Sequence, residues 1–250
     1  MKLNFDQIII ISLICLLTVS GLAKAEKLEI NERMTELQAD FYSGLVDTEN
    51  LNNQVKELET VINQSITDPE KYYWLAQTQF WQSKISRRNG NEKKAEKGFE
   101  KSKKLAYKAL KKEVHPSDSR RLVADNQARL IEYKGAFYAI RNGSEILDLL
   151  EKAVSLDEKN YAAYNSLGIA LLQAPKIGGG SIEKAIENLK GGLNSSQQPE
   201  RFRSYYFLTK CYQEQGKLKQ AKSYLEQSQQ IYPDNPQVKS LKEQLDTKAD

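Results

Sequence analysis

The sequence predicts an all-α protein, an α-solenoid of stacked antiparallel helix pairs with capping helices. Three observations predict it. Alanine, leucine, lysine, glutamate and glutamine, all good helix formers, dominate the composition. The Val/Ile/Thr alternation of strands is scarce beyond the N-terminus. Apolar residues instead recur at three- and four-residue steps, in segments that come two at a time around short turns. A hydrophobic content of 40%, a charged content of 28% and only 6 prolines in 250 residues exclude a disordered chain. Such a helix pair cannot bury both faces alone and needs similar pairs to stack on.

The first 25 residues read as a targeting segment. Lys2 is a short basic start, Ile8 to Val19 is an almost unbroken apolar run, and Ala23-Lys24-Ala25 puts small residues where a signal peptidase reads. Cleavage before Glu26 is expected, with residues 1–25 as a signal peptide. The apolar run is shorter than the roughly 20 residues that span a bilayer, which speaks against an uncleaved anchor. Ile14 before Cys15 is too bulky for a lipidation site. The expected location is therefore the periplasm of a Gram-negative bacterium, or otherwise outside the cell. One cysteine, Cys211, would remain, on a helix between Leu208 and Tyr212, as a small core residue.

Residues 26–70 are expected to be an N-terminal helical cap or degenerate repeat, with helices over Glu32–Val46 and Leu51–Ser65 ended by Asp68-Pro69. Residues 71–235 hold the repeats. Trp74 and Trp81 mark one first helix, and Ala95 and Phe99 its partner, if about five residues are inserted at 87–91. His115-Pro116 breaks the chain, because proline disfavours helix in the residue before it. A long helix follows over Arg120–Arg141, with Leu130, Tyr133 and Phe137 inward and a turn at Asn142-Gly143-Ser144. Tyr164, Leu167, Gly168 and Leu171 mark the next first helix. Gly168 stands where a close helix crossing leaves no room for a side chain, and Ser181 caps the partner carrying Ala185 and Leu189. Val238, Leu241 and Leu245 form a C-terminal capping helix over 236–250.

The clearest unit is Phe202–Asn235. Tyr205, Leu208 and Tyr212 share one face; Gln215-Gly216-Lys217 turns the chain; Ala221 and Leu225 share a second face, and Pro233 closes the unit. These residues and offsets resemble the 34-residue tetratricopeptide repeat (TPR). Thr209 and Ser228 are mild departures from its small-residue positions. With the Ala174-Pro175 and Gly178-Gly179-Gly180 insertion in the preceding unit, the chain resembles bacterial exported TPR proteins over about residues 71–235. The resemblance implies a right-handed TPR-like superhelix. It is specific for fold and nearly silent on activity.

No set of residues points to catalysis, metal or cofactor. Gly178-Gly179-Gly180-Ser181 precedes a helix but lacks the lysine and the strand of a nucleotide-binding loop, and reads as an inter-helix loop. His115 is the only histidine, so neither a zinc site nor a Ser-His-Asp set can be argued. Lys93, Lys97, Lys101, Lys104, Lys108 and Lys111 line one helical face. They are read first as a solvated face and second as a peripheral contact with an anionic membrane; export argues against nucleic acid.

By the repeat register, the concave side chains would be Tyr72, Gln79, Gln82, Tyr138, Asn165, Ile169, Arg203, Tyr206 and Lys210. A groove of amide, aromatic and basic groups suits an extended peptide with acidic or polar side chains. The leading expectation is a non-enzymatic scaffold or adaptor that binds a protein or peptide partner there. The alternative is a ligand-binding accessory subunit of a solute transporter, TPR-like and oligomeric.

Overall fold

The computed structural model describes residues 5–247, with side chains from residue 24 onward. Among the described residues it is all-α, in the order α1 (Phe5–Ser43), α2 (Thr48–Ser65), α3 (Glu70–Arg88), α4 (Glu92–Lys111), α5 (Pro116–Leu156), α6 (Tyr161–Gln173), a short 3-10 turn (Lys176–Gly178), α7 (Ile182–Gly192), α8 (Gln198–Glu214), α9 (Leu218–Ile231) and α10 (Pro236–Asp246). Within the described residues, no helix is long and apolar enough to cross a membrane.

The helices stack as pairs. Outer helices show one buried stripe each: Leu51, Val55, Leu58 and Ile62 in α2, Ala185 and Leu189 in α7, Ala221 and Leu225 in α9. Inner helices are buried more nearly all round, as in α3, where Tyr73, Trp74, Ala76, Phe80, Trp81 and Ile85 are all covered. Close approach within a pair is set by Gly168, where an added Cβ would lie 2.6 Å from Leu189 Cγ and 3.0 Å from the Ala185 carbonyl oxygen. Ser181 caps α7 by accepting the Lys184 backbone N–H at 3.3 Å. Val238, Leu241 and Leu245 seat α10 on the last pair.

Two expectations are corrected. The first helix runs without a break from Phe5 to Ser43 instead of starting near Glu32. Around 87–91, α3 and α4 have 19 and 20 residues, and the chain turns within Asn89–Asn91.

The largest difference lies in α5. The chain folds back at Gly135 (φ 75, ψ −166), a left-handed conformation open to glycine because it has no Cβ. Gln127 Nε2 donates to Glu145 Oε2 at 2.9 Å and Ser117 Oγ to the Ala153 carbonyl at 2.7 Å. In an unbroken helix, residues 18 apart would be about 27 Å apart. The two arms, 116–134 and 136–156, are therefore an antiparallel pair, and Asn142-Gly143-Ser144 is helical inside the second arm. Both glycines offered a turn; the matching of Ser117 to Ala153 and Gln127 to Glu145 places it at Gly135. Phe137 then sits beside the hairpin tip and is 89% exposed instead of inward, while Leu130 is fully buried and Tyr133 half-buried.

The array also closes on itself. The end of α1 reaches the last repeat: Tyr42 packs on Phe202 and Tyr232, with ring centroids 5.1 and 6.3 Å away. Its carbonyl accepts from Asn235 Nδ2 at 2.7 Å. Gly44 (φ 76) follows, and a Cβ there would come within 2.9 Å of Pro236 Cδ and 3.0 Å of the Asp234 carbonyl oxygen.

Candidate functional site

Closure of the array leaves a central cavity of about 980 Å3. Its wall is built from the inner helices at helical spacing. Gln77, Trp81, Lys84 and Arg88 come from α3; Arg121, Asp125 and Arg129 from the first arm of α5; Ser166 and Ile169 from α6; Arg203, Tyr206 and Lys210 from α8. Met34, Phe41 and Tyr42 of α1 complete it.

The wall is unusually charged for the inside of a protein, and most of the charges are matched. Arg121 is 7% exposed; its Nε meets Asp118 and its Nη1 meets Asp125, both at 3.0 Å. Burial opposes the charge of Arg121, but the two carboxylates outweigh it and hold the guanidinium above its ordinary value. Arg203 pairs with Glu200 at 3.0 Å. Arg87 and Arg129 share Glu132, at 2.7 and 3.2 Å.

Lys84, Arg88, Lys159 and Lys210 of the same wall have no carboxylate within 4 Å among the described residues, and the one hydrogen bond of the Lys84 ammonium is to Tyr42 OH at 3.0 Å. Lys84 Nζ lies 3.7 Å from the Trp81 ring centroid, 4.9 Å from Phe41, 4.8 Å from Tyr42 and 5.8 Å from Phe80. Cations are attracted to ring faces at such distances. Burial, reinforced by Arg129 and Arg203, holds the Lys84 pKa well below the usual lysine value, while Asp125 and Glu200 pull it back up. Burial also pushes the Tyr42 hydroxyl up to about 12.

Of the nine side chains expected on the concave face, Ile169, Arg203, Tyr206 and Lys210 line the cavity. The other five lie elsewhere. Tyr72 has Lys108 Nζ over its ring at 5.2 Å. Gln79 lies against Gly98 of α4. Gln82 Nε2 donates to Asn52 of α2 at 2.7 Å, and Tyr138 OH accepts from Lys103 of α4 at 3.2 Å. Asn165 is fully buried between α6 and α8, donating to the carbonyl and carboxylate of Glu200 and accepting from Ser204 Oγ. Each residue turns the helix by about 100°, so an error of one position moves a side chain from the cavity to a seam between helices.

Lys84, Trp81, Arg121, Asp125 and Arg129 are among the cavity residues that the repeat register did not place there. A signal existed: charged residues spaced by four on a helix expected to be internal, as in Arg121, Asp125 and Arg129.

The remaining candidates fall outside the cavity or face away from it. Lys93, Lys97, Lys101, Lys104, Lys108 and Lys111 of α4 are exposed, opposite buried Ala95, Phe99, Ser102, Ala106 and Ala109. Gly180 is pressed against the Ala174 carbonyl, which makes the glycine-rich loop a packed turn. His115 accompanies Glu70 at 3.1 Å and packs on Tyr73, centroids 4.4 Å apart. Cys211 is fully buried, and burial, aided by Glu214, raises its thiol to about 12.

Residues 176–245 match the family model of the tetratricopeptide repeat. A thermophilic TPR protein from Thermus thermophilus has a similar structure, with a TM-score of 0.53 at 12% identity over 78% of this chain and 90% of that one. YrrB, described as a TPR protein with an unusual peptide-binding site, aligns at 14% identity over 78% of this chain and 88% of its own, with a TM-score of 0.41. No curated protein matches the sequence. TPR proteins are generally non-enzymatic platforms for protein–protein contact. Residues 176–245 carry the tetratricopeptide-repeat pattern, and the described structure shares the paired-helix fold of the Thermus thermophilus TPR protein.

Proposed function

We propose that this protein is an exported scaffold that receives a short segment of a partner protein in its central cavity. The observation that carries this reading is the cavity itself: about 980 Å3, walled by the inner helices, with aromatic, amide and basic groups converging in it. Spaces of this order suit small ligands and short chain segments. The export half of the reading rests on Lys2, the apolar run Ile8–Val19 and Ala23-Lys24-Ala25.

Crosslinking in cells, followed by identification of the captured protein, tests the scaffold. Replacing Tyr206 and Lys210 together by alanine should abolish capture while helicity stays unchanged. Arg203 is left out because it holds Glu200 at the α6–α8 seam. Undiminished capture by the double variant would remove the cavity from the reading. N-terminal sequencing of the protein from the extracellular or periplasmic fraction should start at Glu26; recovery of the intact chain only inside the cell would remove the export.

A further inference from the structure

We propose that the tip of the α5 hairpin and the lysine face of α4 together form a docking surface for a bilayer that carries anionic lipid. This surface lies on the outside of the array and does not depend on what the cavity binds.

Phe137 and Ile140 follow the turn at Gly135 and are 89% and 80% exposed. Among the described residues six large hydrophobic side chains are exposed, and the other four, Leu28, Leu45, Leu156 and Ile177, come from separate places in the chain. Single exposed apolar residues are ordinary, but Phe137 and Ile140 are three apart and share one helix face. Neighbouring contacts join this tip to α4. Tyr138 OH accepts from Lys103 Nζ at 3.2 Å, and Tyr107 OH donates to Glu145 at 2.8 Å. Lys134 pairs with Glu100 and lies 5.5 Å from the Tyr138 ring centroid. The second arm of α5 therefore runs beside α4, and the exposed faces of the two helices are continuous.

The charge of the chain is gathered on this side. Over Glu92–Lys111, α4 has eight lysines against three glutamates, a net charge of +5 in a chain whose total is +4. Arg141, exposed one turn beyond Phe137, adds to it. The exposed acids of the second arm, Asp148 and Glu151, stand 8 and 11 residues past Ile140, about 12 and 16 Å along the helix and beyond the screening length of about 8–10 Å. Lysines alone would attract any polyanion. Phe137 and Ile140 decide between polyanions, because they gain only by leaving water. A polysaccharide or a nucleic-acid backbone offers charge without hydrocarbon, whereas a bilayer offers phosphates at its surface and hydrocarbon beneath. Two side chains bury little area, so the contact is reversible and needs the charge.

The test floats the full chain with vesicles of phosphatidylcholine, with and without phosphatidylglycerol. At about 0.05 M salt it should float with the anionic vesicles, and at least about tenfold less with the neutral ones or at about 0.5 M salt. Phe137→Ser with Ile140→Ser should weaken partitioning at least about tenfold, and Lys101→Gln with Lys104→Gln several-fold. Leu156→Ser, at the far end of the same arm, should change nothing, nor should the Tyr206 and Lys210 double variant that tests the cavity. Ile140→Cys carrying an environment-sensitive dye should shift its emission to the blue on anionic vesicles, a reading that survives misfolding of the serine pair; Cys211 is fully buried and escapes the label. Equal flotation with neutral vesicles, undiminished flotation of the serine pair, or an unshifted dye would each overturn the proposal. So would dimerisation without lipid that the serine pair abolishes, which would give the tip to a second copy of the chain.

Discussion

The outer helix α4 and the inner helix α3 pack against each other but meet different surroundings. In α4 one stripe, Ala95, Phe99, Ser102, Ala106 and Ala109, is buried and the opposite face is exposed lysine. In α3 the buried set runs from Tyr73 to Ser86 and includes polar Gln77, Thr78, Ser83 and Ser86. Water lies along one side of an outer helix, so its sequence alternates cleanly between apolar and charged. Protein lies on both flanks of an inner helix, and its remaining face looks into a cavity that is itself polar.

Several experiments can break or sharpen that contrast. The largest effect is expected from Phe99→Ala, which empties the fully buried stripe of α4; a loss of about 3–5 kcal/mol is expected in denaturant unfolding. A loss under about 1 kcal/mol would show that the outer layer is not the stabilising one.

Next comes Arg121→Met, which leaves Asp118 and Asp125 without their shared cation and should cost about 3 kcal/mol. The double variant Arg121→Met with Asp125→Leu should cost less than the single one, because it removes a charge that the single variant strands. If the double variant is the worse of the two, the inner ion pairs are a net source of stability.

Gly44→Ala addresses the closure. An added methyl would meet Pro236 and the Asp234 carbonyl from a positive-φ residue, and about 1–2 kcal/mol is expected. Amide exchange should accelerate in α2 and α10, and unchanged exchange there would show that the closure is not coupled to either end.

The smallest effect concerns Glu70, which accepts from Lys27 at 2.6 Å and faces His115 at 3.1 Å. Burial works to raise its pKa, but hydrogen bonds and charge from Lys27 and His115 overcome this and hold it below its ordinary 4.5. A carboxylate with a depressed folded pKa contributes stability above its unfolded value, lost as pH falls through the folded one. Glu70→Gln should therefore cost up to about 1 kcal/mol at neutral pH and nothing in acid below the folded pKa. A cost that persists there would make the contribution one of packing, not charge.

How much was legible follows the same division. The stripes of α2, α7, α9 and α10, the Ser181 cap and the close crossing at Gly168 could all be read from spacing, because each depends on neighbours within one helix pair. The turn at Gly135 could not, since Gly143 offered the same freedom and only the pairing of Ser117 with Ala153 and Gln127 with Glu145 chooses between them. Asn165 and Ser166 show the limit at the site: adjacent in sequence, one is locked to Glu200 in a seam and the other lines the cavity.

By itself the sequence determined that this chain is helical, paired and repetitive, because periodic apolar residues can be satisfied in no other way. Tertiary structure alone decided that the ends meet at Tyr42 and Asn235, that a charged cavity forms between the inner helices, and that Lys84 lies in it among aromatic rings. Those properties depend on the angle each pair makes with the next, summed around the array. No local pattern of residues records that sum.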